Sequence, residues 1–392
     1  MSKRAQRLVS LAVLGCLMML ATAGQAAEVV DLYKASVDVA NRSTDARNTA
    51  LAKGLATVLI RVSGNSAITA ESSVQDAMAN PNRFVVQYGY QTREELSPEE
   101  GSMLKQTYLK VSFDEAAVNQ FLRRQGFPIW SSSRPNVVLW GAVRDDSGRQ
   151  VIGGKSQPAL QQLLQMQAKR RGLPLILPAY DEEDLAQVRT GDIWGMFVEP
   201  INTASQRYSA NVVVVVKMLT TPDQVQISAA MNLDERQQWW ETSGDTLEAA
   251  VAALMDQLGD RIGERFAVQA SMEVGEQVIL EVAEVDQLTD YANLGEYLDS
   301  VLAIRGWRLR VVQGSKHQYL LTLESNLDAL QQSFRIDRKL LPQPPQRVVP
   351  LGQPQPEERQ PAVPEQMDGA AQVTEIGTDT QEPVVLYYRW NG

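Results

Sequence analysis

The chain has 392 residues, a formal net charge of −10, one cysteine and one histidine. That inventory excludes a disulfide within the chain, cysteine-based zinc centres and two-histidine metal sites. An acidic surface also disfavours phosphate backbones and anionic lipid, and the length leaves room for two or three domains of ordinary size.

Lys3, Arg4 and Arg7, the apolar stretch Leu8 to Ala21 and the small-x-small triplet Gly24-Gln25-Ala26 predict a secretory signal peptide over residues 1–26. Its removal makes the chain more acidic and leaves it without cysteine. The predicted location is the periplasm of a Gram-negative cell. The apolar core falls short of the roughly 20 residues that span a bilayer, and no later stretch matches it, so the mature chain is not expected to cross a membrane. The alternative is a lipoprotein anchored through Cys16, because Val13-Leu14-Gly15-Cys16 is similar to a lipobox. Against it, the apolar core continues past Cys16 through Leu20.

An N-terminal α/β module is expected over residues 27–130. Val29 to Val39 reads as a strand. Ser43 or Thr44 then caps a helix in which Ala46, Ala50, Leu51, Leu55, Val58, Leu59 and Val62 recur at helical spacing, ended by Gly64-Asn65. Phe84 to Tyr90 and Leu104 to Phe113 read as strands joined by a hairpin loop over Glu94 to Gly101. Asp114 caps a second helix with Phe113 stapled onto Val118, and Gly126 stops it. The order is β-α-β-β-α.

A middle α/β domain is expected over residues 134–268. Val137 to Val143 is a strand ending in the loop Asp145-Asp146-Ser147-Gly148. A helix from Pro158 to Gly172 and the apolar run Leu173 to Leu177 complete a strand-helix-strand unit with parallel pairing. A short helix follows Asp181, then an irregular stretch around Trp194. Five consecutive valines, Val212 to Val216, suit a strand covered on both faces. Val225, Ile227, Ala229 and Met231 alternate as in a strand with one wet face. Asp245 and Glu248 have capping-box spacing ahead of a helix carrying Leu247, Val251, Leu254, Leu258, Ile262 and Phe266.

A third module over residues 272–341 repeats β-α-β-β-α: strand Val278 to Val282, helix Leu288 to Leu302, strands Trp307 to Val312 and Tyr319 to Leu323, and helix Leu327 to Phe334. Residues 342–383 are rich in Pro and Gln and are predicted to be a disordered linker. Residues 384–392 end it with the apolar and aromatic segment Val384, Val385, Leu386, Tyr387, Tyr388 and Trp390. The expected fold class is α+β or α/β: successive small mixed-sheet sandwich domains with a disordered C-terminal tail.

Carboxylates are the remaining acid-base groups. Asp181-Glu182-Glu183-Asp184 reads as a helix N-cap with an acidic first turn, and Asp145-Asp146 as a turn. Gly153-Gly154-Lys155-Ser156 resembles a phosphate loop but lacks the preceding glycine at the required spacing, so it reads as a turn before a helix. Lys169-Arg170-Arg171 complements a helix C-terminus. His317 has no G-x-S-x-G elbow to serve and reads as a hairpin residue near the surface.

Leu32-Tyr33, the helix end Leu59-Ile60-Arg61-Val62-Ser63-Gly64, Tyr208 to Val216 followed by Trp239-Trp240, and Val301 to Val312 together resemble an uncharacterised family of exported Gram-negative proteins, the domain of unknown function numbered two thousand and sixty-six. The resemblance runs to about Leu341 and implies no activity or catalytic residues. The expected function is non-catalytic: a periplasmic envelope protein that binds or scaffolds a protein partner, without catalytic residues, cofactor, metal or nucleic acid. The candidate partner-binding residues are Val384, Leu386, Tyr387, Tyr388 and Trp390, docking as an added strand on a sheet edge of this chain or of a partner, and Trp239 and Trp240. The alternative is a carboxylate-based periplasmic hydrolase acting on glycan through Asp145 or Asp146 and a facing acid.

Overall fold

The computed structural model describes residues 27–28, 31–96, 103–146, 148–233, 236–269, 276–344 and 384–392. The expected signal peptide, the lipobox and most of the Pro-rich linker lie outside them. Three sheets, each with its own core, carry the described chain, and the fold is mixed α/β.

The first sheet holds β2 (Lys34–Asp38), β3 (Val85–Leu96) and β4 (Met103–Phe113) in the antiparallel order β2-β4-β3. Helix α1 (Thr44–Ser63) lies on it. The Ser43 side chain accepts from the Ala46 N–H at 3.2 Å, and Gly64 ends the helix in the left-handed region at φ 73°. The predicted stripe Ala50, Leu51, Leu55, Val58, Leu59 and Val62 is buried. Two expectations need correction. Val29 and Val30 of the expected strand lie outside the described residues, and from Asp31, whose φ of 75° turns the chain, the strand begins only at Lys34. Helix α2 (Ser72–Ala79), after a 3₁₀ turn at Ser66–Ala70, carries too few apolar residues to announce itself. The β3-β4 hairpin also extends into the stretch read as a loop. Helix α3 (Glu115–Arg124) is capped by Asp114, and Phe113 and Val118 share the core as the staple requires.

A two-residue ribbon pairs β1 (Ala27–Glu28) with β5 (Ser133–Arg134) and leads into the middle sheet. That sheet has the order β11-β10-β9-β6-β7, with β8 also pairing β6. Its strands are β6 (Val137–Asp145), β7 (Gly148–Ile152), β8 (Leu175–Ile176), β9 (Val212–Thr220), β10 (Val225–Leu233) and β11 (Arg236–Gly244). Helices α4 (Pro158–Arg171) and α8 (Leu247–Phe266) flank the one face. The short α5 (Glu182–Gln187), α6 (Thr190–Trp194) and α7 (Val198–Ser205) flank the other, so the stretch around Trp194 is helical rather than irregular.

The valine run reads out this layering: Val212, Val214 and Val216 enter the α4/α8 core, and Val213 and Val215 enter the opposite one. The parallel β6-α4-β8 unit forms as predicted, and β7 is an addition. Its Gly148 pairs with Asp145, which turns the predicted loop into a hairpin. Helix α8 is capped one residue later than predicted, by Thr246 accepting from Ala249 N–H at 3.1 Å.

The third sheet has the order β13-β14-β12-β16-β15, from β12 (Gln277–Ala283), β13 (Ile304–Gln313), β14 (Lys316–Leu323), β15 (Leu340–Pro342) and β16 (Val385–Trp390), with α9 (Leu288–Ser300) and α10 (Leu327–Asp337) packed on one face. Its first three strands repeat the first sheet: β2-β4-β3 and β12-β14-β13 are both antiparallel and both place the last strand in the middle. The repeat predicted from element order therefore extends to topology.

Arginines join the first two cores. Arg134 is fully buried and donates five hydrogen bonds, all to backbone carbonyls: Ser131, Trp130, Arg61, Arg171 and Gly172. The last three are at the C-termini of α1 and α4, whose final carbonyls have no partner within the helix. Its guanidinium also lies 3.9 Å from the Trp130 ring centroid. Arg61 in turn holds the carbonyls of Asp31, Leu32 and Lys34, which caps the start of the outer strand β2. Burial pushes the Arg61 guanidinium down to about 10, so it stays charged at neutral pH. Arg171 pairs with Asp256 at 3.4 Å and with Asp260 at 2.7 Å, both on α8.

Candidate interaction surfaces

The C-terminal segment is the first candidate, and it is placed within this chain. Strand β16 runs parallel to β12, from Ile279 opposite Val385 to Ala283 opposite Arg389, and antiparallel to β15, from Leu340 opposite Trp390 to Pro342 opposite Tyr388. Alternation sends Leu386, Tyr388 and Trp390 into the third core. Tyr388 meets Phe334 edge-on at 5.2 Å, and Trp390 lies 6.1 Å from Tyr297. Val384 and Val385 are exposed and Tyr387 is half-buried. Because Gln343 N–H donates to Tyr387 O at 2.8 Å, residues 344–386 leave and return at one place. The residues between 344 and 384 lie outside the described ones, but the two segments that flank them sit side by side in one sheet.

The tryptophan pair divides across the middle sheet, as adjacent residues of a strand must. Trp240, 7% exposed, enters the α4/α8 core beneath Arg261, whose guanidinium is 4.5 Å from the ring. Trp239 is 55% exposed on the opposite face of β11, the outermost strand.

A third surface was not foreseen. Among the described residues β13 pairs only with β14, leaving its other edge open. Leu309, Val311 and Val312 are exposed along it, interleaved with the exposed Arg308 and Arg310. The sequence signal was Trp307-Arg308-Leu309-Arg310-Val311, which alternates apolar and charged residues as a half-buried strand does, although Leu309 and Val311 are exposed along with the arginines.

The carboxylate clusters are held by structural partners. Asp181 accepts from Asp184 N–H as the cap of α5 and forms a two-pronged pair with Arg207 at 2.6 and 2.8 Å, which lowers its carboxyl to about 2. Asp184 is buried and accepts from Tyr180 N–H, Arg207 and the Tyr208 hydroxyl. Burial, and then that carboxylate, raise the Tyr208 hydroxyl to about 12. Asp145 and Asp146 lie at the β6-β7 turn. They line neither the groove bordered by Asn48, Asn80, Asn82 and Arg83 nor the crevice between Arg123, Ile129, Leu302 and Glu324.

Gly153 and Gly154 serve a close approach. A Cβ on either would fall 2.5 Å from a backbone oxygen, that of Pro178 or Ala179. His317 is at a hairpin start but is buried, not near the surface; its Nδ1 lies 3.2 Å from the Tyr319 hydroxyl, and burial lowers its pKa. Among the described residues no three His, Cys, Asp or Glu side chains gather as metal ligands would, and no helix is long and apolar enough to cross a membrane.

These features define a mixed α/β protein of three main sheets whose described residues include an exposed strand edge and an exposed sheet-borne indole. Residues 26–131, the first sheet with its helices, match the family model described as a domain of unknown function, DUF8605. That is an uncharacterised family, though under another number than the resemblance above suggested, and the match stops at the first core instead of continuing to Leu341. A search of curated proteins finds no match.

Proposed function

We propose that this chain is a non-catalytic, exported envelope protein of the periplasm that holds a protein partner along the open edge of β13. The observation that carries the reading is the unequal treatment of the two edges of the third sheet. One ends in β15, three residues long, and the other is β13, ten residues long and, among the described residues, paired with β14 alone. An unpaired strand offers a row of N–H and C=O groups to an extended segment. Arg308 and Arg310 oppose pairing with a second copy of the same strand and favour a partner segment bearing Asp or Glu. Export is supported by the basic, apolar and small-residue succession of residues 1–26, and the envelope by the resemblance to exported proteins.

A photoreactive amino acid at Val312 tests this reading in cells. The expected result is a discrete cross-linked species in the envelope fraction that disappears when Arg308 and Arg310 are both changed to Glu. Met166, exposed on α4, serves as the control site. Cross-linking at Val312 no different from that at Met166, or indifferent to the charge reversal, sinks the proposal.

A further inference from the structure

We propose that the face of the middle sheet around Trp239 is a binding site for a neutral oligosaccharide. The inference goes beyond the partner reading above and uses a different sheet. Helices α5 to α7 make their main contacts with β6, β7 and β9, and the core beneath them reaches β10 at the buried Ala230, while Trp239 on the neighbouring β11 is 55% exposed at its border. Trp239 pairs across the strands with Ala230, which is itself buried in the core under α5 to α7.

Residues that alternate along a strand and pair across it share a face, which fixes the surroundings of the indole. Gln237 and Asn232, a cross-strand pair, lie on one side of Trp239. Glu241 and Ser228, the next pair on this face, lie on the other, with Lys217 of β9 opposite Ser228. Ser228 Oγ donates to Glu241 Oε1 at 3.2 Å and so aims the carboxylate.

The composition of this ring selects the ligand. A flat indole offers its face to the C–H side of a pyranose, and it loses little rotamer entropy on binding. The amides, the hydroxyl, the carboxylate and the ammonium flanking it both donate and accept, as sugar hydroxyls require. Among the described residues of this face, one positive and one negative side chain flank the ring, which suits a neutral polyhydroxylated ligand better than an ionised one. A protein hot spot would instead surround its aromatic with apolar contacts that exclude water, and around Trp239 the described neighbours on this face other than Ala230 are polar.

The test uses the full chain labelled with 5-fluorotryptophan. Its seven tryptophans are read by fluorine NMR, with the Trp239 resonance assigned by its loss in Trp239→Phe. The probes are maltotetraose and tetra-N-acetylchitotetraose. The expected result is a saturable shift of the Trp239 resonance alone with at least one probe at millimolar concentration. Trp239→Ala should lower the affinity measured by calorimetry at least tenfold, and Gln237→Ala severalfold. Absence of any shift up to 20 mM of both probes, a shift confined to other tryptophans, or unchanged affinity in Trp239→Ala overturns the proposal. A photo-cross-link from position 239 to a protein with no sugar response would assign the surface to a protein partner and also overturn it. Loss of the sugar response leaves cross-linking at Val312 unaffected, so the two proposals fail separately.

Discussion

Gly64 and Gly263 lie back to back where α1 ends against α8: a Cβ built on Gly263 would fall 2.5 Å from the Gly64 carbonyl oxygen, and one on Gly64 would fall 2.9 Å from the Gly263 Cα. Both obstacles are backbone, which cannot swing aside as a side chain can. Gly263→Ala should therefore push the first two cores apart and destabilise the chain by about 1–3 kcal/mol, the usual cost of overfilling a packed contact. Urea denaturation checks it, and an unchanged midpoint would show that this contact is not rigid.

Arg134→Met keeps the aliphatic stem and removes all five donors. The buried carbonyls at the ends of α1 and α4 then lose their partner, at a cost of about 3 kcal/mol or more. Arg134→Lys should recover little, since an ammonium offers three donors from a single point and not a planar fork. Hydrogen exchange of the last turns of both helices is the readout, and protection equal to the parent would refute the clamp.

Removing residues 384–392 takes Leu386, Tyr388 and Trp390 out of the third core. At about 1.5–3 kcal/mol for each large buried side chain, the loss should unfold or loosen this module while the other two remain folded. A synthetic peptide of residues 384–392 should then bind the shortened chain and restore exchange protection to β12, and it should not bind the intact chain. Full protection of β12 without any peptide would falsify this placement of the strand.

Asp337 accepts hydrogen bonds from the Tyr297 hydroxyl, at 2.9 Å, and from Ser133 Oγ beside Arg134. Burial raises its carboxyl from 3.8 to about 6, opposed by the Tyr297 hydrogen bond and by Lys339. Between these two values the folded chain binds more protons than the unfolded one, so this group's stabilisation is complete below pH 4 and is lost as pH rises through about 6. The difference is on the order of 3 kcal/mol, at 1.36 kcal/mol per unit. Asp337→Asn should flatten the stability profile over that window. A profile as steep as the parent's would assign the slope to other groups.

Helical and buried-strand periodicity carried most of the fold. The stripe from Ala50 to Val62, the two-faced valines and the α8 repeat were legible because one residue in two or three or four points at a core. What escaped was set by partners distant in sequence. Arg134 and Arg171 look like surface cations until the carbonyls of α1 and α4 and the carboxylates of α8 are brought around them. His317 is buried beneath Tyr291, whose ring centroid is 5.9 Å away, a neighbour that no local pattern supplies. Among the candidate residues, the aromatic alternation of Leu386, Tyr388 and Trp390 showed a strand with one buried face but not which sheet it would join. The open edge of β13 was hidden because the alternation from Trp307 to Val311 marks a strand without showing which neighbours it pairs with.

Leu280 and Leu386 sit side by side, yet the chain between them contributes three other strands, two helices and the Pro-rich stretch. A single peptide-bond break within residues 345–383 would thus cut the polypeptide and leave the sheet whole, because the ladders and aromatic contacts of β16 do not depend on that stretch being continuous. The two fragments would migrate apart only under denaturing conditions, and the clipped protein would pass for intact in every assay of its size in solution.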